Sequence, residues 1–170
     1  MTLPLQATIW VALLCFVIGE SGRAFTDARR KPPLWAWRTF TIGLLLAVTH
    51  TVIAFDSVHD WNHAAAVLST AAQTHAVFGV DVGAGIYVNY LFFGVWLADA
   101  LWWRMEPDGY ARPRTVTWTL RAFYMLIIFN GAVVFVDGLR RVIGLVIVSW
   151  LARVWSPGGR ERKLSHAGAE

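Results

Sequence analysis

Apolar residues in this chain come in long runs rather than in alternation, and runs of this length predict helices, some of them long enough to cross a bilayer. The first run, residues 5–18, is ended by Gly19 and Glu20 and followed by a basic stretch with Arg23, Arg29, Arg30, Lys31 and Arg38 around a Pro32-Pro33 stop. A second run, 39–55, is apolar apart from threonines and His50, and closes at Asp56 and Ser57. Residues 57–78 are too polar to cross lipid. Ser57 and Asp60 have capping-box spacing ahead of an Ala-rich run, so a short helix lying at the interface is expected there.

A third run, 82–103, opens beside Gly79 and Gly83 in GxxxG spacing and ends at Trp102-Trp103-Arg104, an aromatic-then-basic boundary. The fourth is 122–138. The fifth, 142–155, is about 21 Å long by helical rise and sits between Arg140-Arg141 and Arg153. It crosses if the arginines snorkel and otherwise lies along the surface. The polar remainder, 156–170, reads as a flexible cytoplasmic tail. The expected fold is therefore all-α: a polytopic membrane helical bundle of four to five transmembrane helices in one domain over residues 1–155, with a short extracytoplasmic interfacial helix.

The distribution of charge orients this bundle. Lys and Arg crowd the stretches 20–38 and 104–114 and the tail, whereas residues 39–103 contain none. By the positive-inside rule the basic loops are cytoplasmic and the segment between the second and third runs is extracytoplasmic, the arrangement of a multi-pass protein of the bacterial plasma membrane. The N-terminus lacks the basic start of a secretory signal and is kept as a span.

Composition agrees and narrows the function classes. Charged residues make up 15% of the chain, against roughly a quarter in soluble domains, which excludes an ordinary soluble fold. The net charge of +4 is accounted for by the loops, so no nucleic-acid partner is expected. The expected partners are the lipid bilayer and either further copies of the chain or a larger membrane complex. Cys15 is the single cysteine, which excludes an intramolecular disulfide and a CxxC motif. Trp35, Trp37, Trp102, Trp103, Trp118 and Trp155 fall near run ends and read as belt residues, whereas Trp10, Trp96 and Trp150 lie deeper.

Candidate chemistry concentrates between His50 and His75, which hold four of the five histidines. His59 and His63 are spaced i, i+4, which on a helix gives two imidazoles on one face; His50 approaches from the second run. These three are the candidate metal ligands, with Asp56 and Asp60 as candidate bases. Imidazole beside carboxylate points to Zn or non-haem Fe as the divalent metal; haem fits less well because basic residues for its propionates are scarce on the same side. His50 lies six residues, or about 9 Å, inward of Asp56. Asn89 and Asn130 lie at similar depth in the third and fourth runs, and Tyr87 and Tyr90 flank Asn89. These four residues are the candidate lining of a pocket. The functional expectation is a His/Asp-rich metal or haem site at the extracytoplasmic mouth. The alternative is a non-catalytic helical subunit or scaffold of a larger complex. Asp99, one turn before Trp102-Trp103-Arg104, is expected to pair with Arg38, Arg104 or Arg121, and Asp137 with Arg140 or Arg141.

Overall fold

Proline sets two of the helix starts: Pro33 and Pro113 hold φ at −65° and −52° with extended ψ, and a helix begins at the next residue in each case. The computed structural model describes residues 3–26, 32–105 and 113–156. They form α1 (Leu3–Ala24), α2 (Leu34–Ser57), α3 (His63–Phe78), α4 (Gly85–Met105), α5 (Arg114–Phe129), a π-helical segment (Asn130–Val134) and α6 (Leu139–Trp155), with no strand among the described residues. Three stretches, Leu5–Ala24, Leu34–Ser57 and Arg114–Val134, are long and apolar enough to cross a membrane.

α1 and α2 pack as an antiparallel pair, with Thr8 opposite His50 and Ala12 opposite Gly43. Glycine makes this approach close: a Cβ on Gly19 would lie 2.7 Å from Phe40 Cβ, and one on Gly43 2.9 Å from the Ala12 carbonyl oxygen. α4 closes on α2, α6 packs on the π segment and on α5, and α3 folds back antiparallel against the start of α4. The crossing of α6 over the π segment is tighter still, since a Cβ on Gly144 would overlap the Ala132 carbonyl.

The core is aromatic. Phe16 meets Phe40, Trp96 and Tyr124 with ring centroids 5.4, 5.0 and 5.1 Å apart, the last two edge to face. Trp96 is fully enclosed, as are Trp103 and Trp155, which the run boundaries assigned to a lipid belt. Trp103 and Trp155 turn inward because a charged cluster, described below, gives the Trp103 ring and the Trp155 N–H partners inside the bundle.

Helix ends depart from the sequence expectation for identifiable reasons. α1 does not stop at Gly19-Glu20 but runs to Ala24, because Glu20 and Arg23 pair one turn apart and bury together. α5 starts eight residues before the expected span, and Arg121 is absorbed into it by stacking on Trp118 and Trp155. The Ser57/Asp60 capping box does not form. Ser57 is the last residue of α2 and donates to the Ile53 carbonyl at 2.6 Å. Asp60 and Trp61 then adopt left-handed φ of 47° and 57°, reversing the chain, and Asn62 caps α3 by accepting from the Ala65 N–H. Gly79 is not part of a packing motif but the left-handed C-cap of α3. The basic residues 29–31, the stretch 106–112 and residues 157–170 lie outside the described residues.

Candidate functional site

Along α1, α2, α4 and α5 with its π extension, the residues nearer one end of the bundle face a common open volume, and those nearer the other end close on one another. The open volume is a cavity of about 610 Å³. Phe16, Trp96 and Ile128 belong to its deep, apolar wall, whereas Gln6, His50, Gln73, Asn89 and Asn130 are among its polar groups. Every helix contributes to it, α6 through Arg140.

His50 is half-buried and held in place from α1. Its Nδ1 lies 2.8 Å from the Leu5 carbonyl and 3.3 Å from the Thr8 hydroxyl. Donation to that carbonyl places the proton on Nδ1 and leaves Nε2 as the ring's acceptor. Asn130 opens the π segment, and its carbonyl accepts the Phe135 N–H at 3.0 Å, the five-residue reach that defines the widened turn. Such single π turns are commonly found at functional sites. Here it places Asn130, Gly131 and Ala132 on the cavity wall.

The residues expected to act together from sequence separate into two groups. His50, Asn89, Tyr90 and Asn130 line the cavity, and His59 lines it while resting edge-on against the Phe55 ring. His63 is exposed and sits between two tyrosines. Its Nε2 lies 3.3 Å from the Tyr87 hydroxyl and its Nδ1 3.4 Å from that of Tyr90, so both ring nitrogens face hydroxyl groups. Tyr87 does not line the cavity. Because α2 ends before His59 and α3 starts at His63, the helical i, i+4 spacing of these histidines does not arise. Asp56 accepts a hydrogen bond from the Trp61 indole at 3.1 Å and Asp60 lies in the exposed reversal. Among the described residues no three His, Cys, Asp or Glu side chains are grouped to hold a metal ion.

Beyond the cavity floor lies a cluster that the sequence did not reveal as a unit. Glu20 pairs with Arg23, whose Nη1 reaches both oxygens of Asp99 at 3.4 and 3.3 Å. The Tyr124 hydroxyl donates to Asp99 at 3.1 Å and the Trp155 indole to Glu20 at 3.1 Å. The Arg23 guanidinium lies over Trp103 and Phe40, 5.1 and 5.7 Å from their ring centroids. Asp99 thus pairs with Arg23 of α1, which the sequence placed in a loop. Asp137 does take its neighbour, meeting Arg141 at 3.0 Å. Glu20 and Arg23 extend the buried stripe Leu5, Ala12, Phe16 by helical spacing, the one sequence signal that could have located the cluster.

No family model, curated protein or solved structure matches this chain.

What the cavity can hold follows from its own chemistry. Its size falls within the roughly 300–1,000 Å³ of small-molecule pockets, and an apolar floor with a few polar groups is the usual composition of such sites. The charged cluster has the opposite character: its polar atoms face one another across α1, α4, α5 and α6. Removing one partner from a buried pair leaves an uncompensated charge, so the arrangement ties these helices together.

Proposed function

We propose that this chain is a bacterial plasma-membrane protein of four or five spans whose cavity, at the extracytoplasmic end, binds an amphipathic small molecule. The observation that carries the reading is the convergence of His50, Asn89 and Asn130, from three different helices, on one cavity whose floor is apolar and aromatic. Polar side chains within membrane helices are expensive, and their usual use is toward a partner or a ligand pathway. The orientation rests on the absence of Lys and Arg from residues 39–103. α4, at 21 residues, is long enough for a fourth span, and α6, at 17 residues, reaches about 26 Å by helical rise. α3 is read as the interfacial helix, since it packs on α4 and leaves Leu68, Val77 and Phe78 exposed.

The ligand's polar head meets the side-chain amides and His50, and its apolar body lies against Trp10, Phe16 and Trp96. Binding of the fluorescent amphiphile N-phenyl-1-naphthylamine to protein in dodecyl maltoside tests this. Saturable one-site binding is expected for wild type. Gly131→Phe should abolish it, because Gly131 is on the cavity wall and a Cβ there meets nothing within 4 Å. Linear partition that the substitution leaves unchanged would remove the binding reading and favour a structural subunit of a larger complex.

A further inference from the structure

Two arginines and no acid occupy the first turn of α6, the reverse of what a helix dipole favours. The two are treated differently by their surroundings. Arg141 is held locally: its Nε donates to the Val133 and Val136 carbonyls at 3.0 and 2.9 Å, and its Nη2 meets Asp137 at 3.0 Å. This arrangement satisfies the Val133 and Val136 carbonyls at the end of the π segment and pairs the exposed Asp137. Arg140, the next residue along, makes no ion pair among the described residues and lines the cavity.

Asp137 and Arg140 are, histidines aside, the charged members of the cavity wall. Asp137 is paired with Arg141, so among the described lining residues Arg140 is the cation without an ion pair, beside neutral groups that hydrogen-bond. An amphiphile with a positive head would meet Arg140 with like charge. A neutral head would leave the guanidinium with water alone, while an oxyanion would give it a charge-assisted bond, the stronger type. The size of the space limits the tail. At about 610 Å³ it is of the size of pockets that take one drug-sized ligand, too small for a two-chain lipid.

We infer that the cavity takes a single-chain amphiphile with an oxyanion head, a carboxylate or a phosphate monoester, and that Arg140 holds that head. The inference rests on the cavity binding an amphiphile at all. Arg141 and Asp137 act as positioning residues, fixing the turn that presents Arg140.

The test is competition against N-phenyl-1-naphthylamine by palmitate, hexadecyl phosphate and hexadecanol, three ligands with one tail and different heads. Palmitate or hexadecyl phosphate should displace the probe at lower concentration than hexadecanol, and the tighter of the two names the source of the oxyanion. Arg140→Gln should weaken both anions about tenfold more than it weakens hexadecanol, the loss expected for one charge-assisted contact. Arg140→Lys should keep most of the anion preference. Arg153→Gln, at the far end of α6, should have no effect and so excludes a general charge effect. A melting temperature close to wild type shows that the variant is folded. Equal displacement by all three ligands, insensitive to Arg140→Gln, would overturn the oxyanion assignment and leave the cavity reading standing. Loss of saturable probe binding in wild type would overturn both.

Discussion

At one end of the bundle Glu20, Arg23, Asp99 and Tyr124 direct their polar atoms at one another; at the other, His50, Asn89 and Asn130 stand around an open volume. The same helices build both ends. The boundary between them is the aromatic layer of Phe16 and Trp96, which forms the cavity floor on one side and packs toward Tyr124 on the other. The difference shows what polar groups in an apolar helix are for: bound to one another they hold helices together, and gathered around space they favour a guest.

Substitutions at the closed end should carry the largest effects on stability. Arg23→Leu leaves two carboxylates buried without their shared cation and is expected to cost about 3–5 kcal/mol, read as a large fall in melting temperature in detergent. A melting temperature within two or three degrees of wild type would mean that the cluster ties nothing. Gly144→Ala should come next, at about 1–3 kcal/mol, because the added methyl forces α6 away from Ala132. Since that crossing also shapes the cavity wall, probe affinity should fall together with stability, and a change in one alone would separate the crossing from the cavity. Tyr124→Phe removes one hydroxyl donor to a buried carboxylate and should cost about 1–3 kcal/mol with probe affinity unchanged.

The helical, membrane-spanning character was legible because long apolar runs with few charges leave little else for the chain to form in water or in lipid. His50, Asn89 and Asn130 also stood out, as polar residues inside such runs. What was hidden depended on distance or on backbone conformation. Arg23 and Asp99 lie 76 positions apart, so the pair that lets a helix carry two charges past Gly19 has no local signature. The reversal at Asp60-Trp61, with positive φ at two residues that are not glycine, separated His59 from His63 although their spacing suited a helix. Arg140 and Arg141 read alike as charges that hinder a crossing; which one faces the cavity depends on the π segment, whose widened turn lacks a residue pattern of its own.

The most direct test of this division compares two variants in one assay: Gly131→Phe at the open end and Tyr124→Phe at the closed end, each measured for melting temperature and for N-phenyl-1-naphthylamine affinity in the same sample. The expected result is a crossing, with Gly131→Phe losing the probe at near wild-type stability and Tyr124→Phe losing stability at wild-type affinity. Parallel losses of both properties in both variants would contradict the account, because the two ends would then be one cooperative unit rather than a lock and a cavity.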